Sequence, residues 1–199
     1  MQEVAKELDV IVDPINVIPI KFFIRGQVYS KPDLEFSNRS GTLNFTSPDP
    51  QKYLDRIVLR DSSSLVNDFQ GVTVQEIIDY LVEVGEALNY DRNTLMQEAC
   101  EFSIPFNGLT PSIIETSYRM TPMLFTEPVL KTMVENEIGS RFLDDWTEVP
   151  VLSGRAKVRA YGAKALHITA GNVPTVAALT VARGALIKSD NIIKLPSND

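Results

Sequence analysis

The chain has 199 residues, of which 44% are hydrophobic and 23% charged, a balance typical of a globular protein with one domain or a domain and a half. A net charge of −7, without a cluster of lysine and arginine, argues against a nucleic-acid groove. The one cysteine rules out an internal disulfide, and without a secretory leader pattern or a bilayer-length apolar run we predict a cytoplasmic protein with no membrane span.

Residues 1–70 are predicted to form a β-rich region. β-branched and aromatic residues dominate Val10–Val12 and Val17–Arg25. Two shorter runs, Thr42–Phe45 and Arg56–Leu59, have the same character, and clusters of Gly, Pro, Ser and Asn between the runs indicate turns. We expect a sheet that covers the core, and a subdomain for contacts between subunits is the alternative.

Residues 71–146 are predicted to be mainly helical. Thr73 and Glu76 have the spacing of a capping box, in which the two side chains satisfy each other's backbone amides, so a helix should begin after Thr73. Apolar residues then recur at intervals of three and four, as one buried helix face requires. Further helices are predicted from Asp91 to Pro105, from Thr110-Pro111 onward, from Glu127-Pro128 to Gly139, and over Arg141–Trp146.

Several side chains with reactive or adaptable chemistry are predicted to be structural. Cys100 lies beside Glu98 and Glu101, and because nearby carboxylates disfavour a thiolate, we expect a core or boundary residue rather than a nucleophile. His167 is the only histidine and is expected to be hydrogen-bonded within the core, and no Cys/His cluster indicates a metal site. Four residues are expected to belong to the core, with an acyl-chain channel as the alternative: Met120, Met123, Phe125 and Met133.

Residues 147–199 are predicted to begin a dinucleotide-binding domain that is incomplete in this chain. An exposed strand pair, Val149–Leu152 and Ala156–Tyr161, leads into it. A short apolar run, Ala165–Ala170, is typical of a buried parallel strand. The helix Thr175–Lys188 and the strand Asn191–Leu195 complete a β-α-β unit, so we predict an α/β fold.

The turn between this first strand and the helix contains the candidate catalytic residue. Gly171 permits unusual backbone dihedrals and Pro174 can open a helix, with Asn172 between them. Open α/β sheets bind ligands at the carboxyl ends of their strands, where a side-chain amide can donate to a carbonyl oxygen that becomes an oxyanion. The alternative is that Asn172 only caps the helix.

The residues of this unit resemble those of a known family. The run HITAGNVP, residues 167–174, and the run NIIKLPSND, residues 191–199, are similar to the first β-α-β unit of the aldehyde dehydrogenase superfamily, and more closely to acyl-CoA reductases of the LuxC type. In aldehyde dehydrogenases the corresponding turn carries an asparagine of the oxyanion hole, which matches Asn172. An aromatic residue precedes that asparagine in most of the superfamily, whereas Gly171 stands here, as in the reductase branch.

The resemblance also implies a cofactor, NADPH, with contacts at Thr169, Lys194, Ser197 and Asn198. The superfamily's second strand usually ends Lys-Pro-Ser-Glu, whereas here the lysine comes one position earlier, and a shift of one residue turns a side chain to the other face of a sheet. Asn198 stands where the family has the glutamate that binds the ribose. A neutral residue there does not repel a 2′-phosphate, which favours NADPH, and a solvated loop residue is the alternative.

The activity that the resemblance implies is reduction of a fatty acyl thioester to a fatty aldehyde through an acyl-cysteine intermediate, as in bacterial luminescence. The family's nucleophile lies downstream of the β-α-β unit and Cys100 lies upstream, so we expect an N-terminal portion of a longer enzyme that is inactive alone. The implied partners are a fatty acyl-CoA or acyl-protein thioester, and a homo-oligomer or a complex with an acyl-transferring subunit. The alternatives are a non-catalytic interaction module and another CoA-acylating aldehyde dehydrogenase.

Overall fold

A computed structural model of the protein describes residues 17–37, 44–61, 63–171 and 176–196. The predicted strand Val10–Val12 and most of the turn before Asn44 lie outside the described residues. Four predicted site or turn residues also lie outside them: Asn172, Pro174, Ser197 and Asn198. The chain divides into two compact units, residues 1–58 and residues 59–199. The predicted division at residues 70 and 146 stays a prediction.

The described residues of the first unit form five short strands. They are β1 (Val17–Pro19), β2 (Phe22–Ile24), β3 (Gln27–Tyr29), β4 (Leu34–Ser37) and β5 (Asn44–Ser47). In one sheet β5 is central, parallel to β1 and antiparallel to β4. A separate hairpin joins β2 to β3 through Arg25 and Gly26, whose φ angles of 48° and 75° fit the type I′ turn that matches strand twist. The β-rich character predicted for residues 1–70 is therefore confirmed over residues 17–37 and 44–47, but it is wrong for Leu54–Ile57 and Ser63–Phe69, which are helical.

One strand predicted in this unit is wrong. Residues of the Arg56–Leu59 run form part of a helix, α1 (Leu54–Ile57), which follows a 3₁₀ turn at Pro50–Tyr53. The Asp49 side chain accepts a 2.9 Å hydrogen bond from the Gln51 backbone and so starts this helical segment. Local capping therefore outweighs the β propensity of the isoleucine and valine that follow.

The second unit begins with six helices. They are α2 (Ser63–Phe69), α3 (Val74–Ala87), α4 (Thr94–Ser103), α5 (Pro111–Met120), α6 (Glu127–Glu137) and α7 (Ser140–Asp144). The capping box at α3 is confirmed, with Thr73 accepting from the Glu76 backbone and Glu76 from the Thr73 backbone. Helix α4 starts three residues later than predicted, because Asn93 rather than Asp91 caps it, through a 3.1 Å bond from the Met96 amide.

The core of the second unit is built on α3. Its buried side chains follow a spacing of three and four, and they pack against a 3₁₀ segment at Thr121–Phe125 and against α6 and α7. Gly85 is required on this face, because a Cβ there would lie 2.5 Å from the Phe125 Cβ. The main buried members are Val74, Ile77, Ile78, Leu81, Phe125, Leu130, Val134 and Leu143.

Two pairs of strands complete the second unit. Strands β6 (Thr147–Val151) and β7 (Gly154–Val158) form an antiparallel hairpin, and β8 (Lys164–Ile168) and β9 (Asp190–Lys194) pair in parallel. Helix α8 (Val176–Leu186) connects β8 to β9 and packs on α3 and α6. The predicted β-α-β unit and the mixed α/β class are confirmed, while an aldehyde dehydrogenase-like architecture stays a prediction.

The burial predicted for β8 is wrong on one of its two faces. Leu166 and Ile168 are 65% and 75% exposed, whereas His167 between them is half-buried. Side chains alternate between the two faces of a strand, and α8 covers only one face of the β8–β9 pair. An apolar run in the sequence does not by itself distinguish a strand covered on both faces from one covered on one.

Candidate functional site

Hydrogen bonds from Thr169 join the carboxyl ends of β8 and β9. Ile168 lies opposite Lys194 in the parallel register. One residue further on, the Thr169 amide and the Thr169 hydroxyl both donate to the Lys194 carbonyl oxygen, each at 3.1 Å. The chain leaves β8 at this edge, turns at Gly171 and enters α8. Asn172 is the next residue in the sequence and lies outside the described residues, and its catalytic role stays a prediction.

The face of the sheet that α8 covers can be identified from Gly184. A Cβ on Gly184 would lie 2.4 Å from Asn191 Oδ1, so the helix backbone rests directly against the Asn191 side chain. Asn191 pairs with Ala165, and side chains of paired residues in a parallel ladder share a face. The face toward α8 therefore carries Ala165 and His167, and Thr169 continues it.

The two described cofactor candidates differ in exposure and face. Thr169 is buried, and since its hydroxyl proton is donated to the Lys194 carbonyl, only its oxygen lone pairs are available to a ligand. Lys194 has an exposed side chain, and by its pairing with Ile168 it belongs to the face away from α8. At this edge Lys194 therefore provides a cation on the face away from α8, and the Thr169 hydroxyl provides a neutral acceptor on the face toward α8.

His167 has a structural role, as predicted. Its Nε2 lies 3.0 Å from Asn191 Oδ1, and the Asn191 amide nitrogen donates to the Ser189 carbonyl at 2.7 Å. This chain of hydrogen bonds satisfies polar groups between the sheet and α8. Over the described residues, no three His, Cys, Asp or Glu side chains come close enough together to hold a metal ion.

Comparison with known proteins gives the family. The sequence profile of the acyl-CoA reductases, LuxC, matches residues 70–199, which is most of the second unit and includes the edge described above. The chain belongs to the LuxC family of acyl-CoA reductases. The resemblance inferred from the β-α-β residues is confirmed.

Individual LuxC relatives are distant and longer. A long-chain acyl-protein thioester reductase of Photorhabdus laumondii is 26% identical over 184 residues, which is 90% of this chain and 37% of the relative. The enzyme of the same name from Photobacterium phosphoreum is 29% identical over 134 residues, 64% of this chain and 26% of its own length. Long-chain acyl-protein thioester reductase 2 of Photobacterium leiognathi is 27% identical over 131 residues, covering 64% of this chain and 27% of the relative.

A buried lysine in this LuxC-family chain was missed by sequence reasoning. Lys188 follows α8 with a left-handed φ of 56°, and its ammonium donates to the Val72 carbonyl at 2.6 Å and the Leu143 carbonyl at 3.1 Å. It also binds Asp144 Oδ1 at 2.8 Å, and that same carboxylate oxygen accepts from the Val74 amide. Lys188 therefore ties the end of α8 to the start of α3 and the end of α7. A lysine just past a helix is common, and the sequence holds no signal that distinguishes a buried one.

The side chains predicted to be structural can now be placed. Cys100 is 2% exposed, which confirms a core residue. Phe125 is buried and Met133 packs against the core, whereas Met120 and Met123 are more than half exposed. The core prediction is therefore confirmed for Phe125 and Met133 and wrong for Met120 and Met123, which solvent reaches. In the part of the chain that the structure describes, no helix combines the length and apolar character needed to cross a bilayer.

Proposed function

We propose that this LuxC-family chain provides the oxyanion-binding and cofactor-binding edge of an enzyme that reduces a fatty acyl thioester to a fatty aldehyde with NADPH. One observation carries the proposal. Thr169 hydrogen-bonds to Lys194 and so joins the carboxyl ends of the parallel strands β8 and β9. The turn at Gly171 follows at this edge of the sheet, which is where α/β proteins bind their ligands. The names of the relatives, thioester reductases, support the reaction class.

Asn172 is proposed to stabilise the transition state. When a thiolate attacks the thioester carbonyl, negative charge develops on the carbonyl oxygen as the tetrahedral intermediate forms. The Asn172 amide is proposed to donate to that oxygen and so to stabilise the developing charge. The attacking thiolate is proposed to belong to a cysteine outside this chain, since Cys100, the one cysteine here, is 2% exposed.

The edge fits an anionic dinucleotide in two respects. The first turn of α8 contains no acidic residue, so no carboxylate there would repel a phosphate bound at the positive end of the helix dipole. Lys194 adds an exposed ammonium at the end of β9. When bound, NADPH supplies the hydride that reduces the acyl group. Thr169 contributes an acceptor, Lys194 a cation, and Ser197 and Asn198 are proposed to contact the ribose end, where the neutral Asn198 tolerates a 2′-phosphate.

The proposal extends to architecture and partners. The β8–α8–β9 unit is proposed to be the first unit of an aldehyde dehydrogenase-like domain, in a cytoplasmic enzyme that is a homo-oligomer or a complex with an acyl-transferring subunit. The thioester is carried by coenzyme A or by a protein. Assays of the full-length enzyme with a long-chain acyl-CoA and with the matching acyl-protein separate these two donors.

The test is Asn172→Ala in the full-length enzyme. We expect turnover in NADPH oxidation with a long-chain acyl thioester to fall about 10²- to 10³-fold, as on loss of one oxyanion donor, with the melting temperature nearly unchanged. Asn67→Ala is the matched control, because Asn67 is an exposed residue of α2, and it should leave both quantities unchanged. If Asn172→Ala lowers stability as much as activity, Asn172 is a helix cap and the oxyanion role is rejected.

A further inference from the structure

The carboxyl ends of β8 and β9 are held by one side chain as well as by the backbone. The two strands are parallel, so the chain that connects them runs through α8 rather than through a tight turn at this edge. Beyond the last pair of the register, Ile168 and Lys194, the Thr169 amide and the Thr169 hydroxyl each donate to the Lys194 carbonyl oxygen at 3.1 Å. A carbonyl oxygen has two lone pairs, and these two bonds use both.

The Thr169 hydroxyl joins two segments that are distant in sequence. Thr169 is 8% exposed, and the carbonyl that accepts from its hydroxyl lies 25 residues later in the chain. By contrast, four other threonine hydroxyls donate to a carbonyl only four residues earlier, where helical geometry already holds the two groups together: Thr116, Thr121, Thr132 and Thr180. The Thr169 hydroxyl therefore adds a constraint that the local backbone geometry does not supply.

Both ends of this contact lead directly into the proposed site. Gly171, at the turn before α8, comes two residues after Thr169, and Lys194 carries the exposed ammonium that is proposed to bind the cofactor. Without the hydroxyl, a single backbone hydrogen bond would hold Thr169 to Lys194. Misplacement of a binding or reacting group by about 1 Å can cost about 10²-fold in rate, so the site depends on how firmly these strand ends are joined.

We propose that Thr169 is a positioning residue, whose hydroxyl fixes the Lys194 end of β9 relative to the Gly171 turn and so sets the affinity for NADPH. This role rests on the proposed function, since the same edge of the sheet binds the cofactor there. It differs from direct contact, in which the Thr169 oxygen itself would accept a hydrogen bond from the cofactor. A positioning residue orders the strand ends before any cofactor binds, whereas a contact residue acts only in the complex.

The experiment compares two valine variants of the full-length enzyme, each of which keeps the shape of threonine and removes its hydroxyl. Thr169→Val removes the bond at the edge of the sheet. Thr121→Val is the matched control, because Thr121 is 5% exposed and its hydroxyl donates to the Ser117 carbonyl at 3.0 Å, at the start of the 3₁₀ segment. Amide hydrogen exchange of residues 192–195 is measured without cofactor, and the NADPH dissociation constant is measured by fluorescence titration. Both variants should lower the melting temperature by similar amounts.

Only Thr169→Val should change the site. Exchange of these amides should become faster and NADPH affinity should fall, each by about 2- to 10-fold, the usual range for loss of one neutral hydrogen bond. Thr169→Ser, which keeps the hydroxyl, should behave like the unaltered enzyme. The positioning role is overturned if the two valine variants match, or if NADPH affinity falls while exchange is unchanged, which indicates direct contact. If the unaltered enzyme binds no NADPH, the cofactor assignment of the proposed function is rejected, whereas the exchange comparison still decides the role of Thr169.

Discussion

Two strand pairs of the second unit, β6–β7 and β8–β9, have the same strand length and contrasting surroundings. The hairpin β6–β7 is exposed over most of both faces, its connection carries the fully exposed Leu152, and the ion pair Arg155–Glu148 lies on its surface. The parallel pair β8–β9 has one face against α8, at Gly184, and the end of α8 is held by the buried Lys188.

The difference shows what a ligand-binding edge needs. A hairpin joins its strands through two residues of connection, so their pairing needs no crossover element. Parallel strands need a crossover connection, and here the crossover helix α8 packs against α3 and α6. The candidate site lies on the pair whose geometry depends on the core, and its position is therefore sensitive to distant contacts.

The largest effect is expected from Lys188→Met. The change leaves Asp144 and two carbonyl oxygens without their partner, and loss of one member of a buried pair typically costs about 3–5 kcal/mol of unfolding free energy. The matched control Arg155→Met removes an exposed pair and should cost less than about 1 kcal/mol. Urea unfolding measures both. Equal losses would mean that the two strand pairs are held to the unit equally.

Gly162→Ala should have the next largest effect. A Cβ at Gly162 would lie 1.8 Å from the Lys188 carbonyl oxygen, a backbone atom that cannot move aside without shifting the end of α8. We expect a loss of about 1–3 kcal/mol, as for other overpacked sites. Gly108→Ala, where nothing lies within 4 Å of the added atom, is the control and should change stability by less than about 0.5 kcal/mol. Identical melting curves for the two variants would contradict this account.

Gly184→Ala should cost less, because the atoms it meets belong to a side chain. The new Cβ would lie 2.4 Å from Asn191 Oδ1, and moving that amide breaks its hydrogen bond with His167. Loss of one such bond costs about 1 kcal/mol. In an Asn191→Ala background the space is free and the penalty of Gly184→Ala should largely disappear, which a double-mutant cycle measures. Additive losses would show that Gly184 is needed for another reason.

The smallest effect is a pH dependence at the start of α3, next to the Val72 carbonyl that Lys188 binds. The Thr73 backbone N–H and then its hydroxyl lower the pKa of Glu76 below its usual value of 4.5. A lowered folded-state pKa gives stability that is present above pH 4.5 and is lost as the pH falls through the folded value. Glu76→Gln should therefore reduce the melting temperature near neutral pH and make little difference in acid.

Glu83→Gln is the control for this pH profile, because Glu83 is an exposed carboxylate of the same helix. Its variant should follow the unaltered chain at every pH. If the curves for Glu76→Gln and the unaltered chain run in parallel from neutral to acidic pH, the capping box does not contribute the expected pH-dependent stability.

Elements with local signals were predicted well. The capping box at Thr73, proline at the start of α5 and the glycine after α6 all depend on neighbours within one helical turn, and the structure confirms the helices they bound. The errors also arose locally. At Arg56–Leu59 a capped helical turn forms in place of the predicted strand, and α4, capped by Asn93, begins three residues after the predicted start at Asp91.

For the candidate site, the sequence predicted the order of strand, turn and helix along the chain but not the burial of their residues. The β-α-β sequence and its turn place Asn172 at a strand end, because strand, turn and helix signals are contiguous there. Burial was not predictable in the same way. One face of β8 is exposed to solvent. Whether a strand face is covered depends on the packing of residues that are distant in the sequence, and a local apolar run does not reveal it.

By itself the sequence determined the family, the β-α-β order of residues 164–194 and the position of the Gly171 turn, because these follow from residues adjacent in the chain. Tertiary structure alone decided that Lys188 is buried against Val72 and Asp144, that Asn191 meets Gly184, and that Thr169 hydrogen-bonds to the Lys194 carbonyl. Those partners are far apart in sequence. Their contacts exist only after α8 packs on α3 and α6, since burial and pairing of polar groups depend on the whole core.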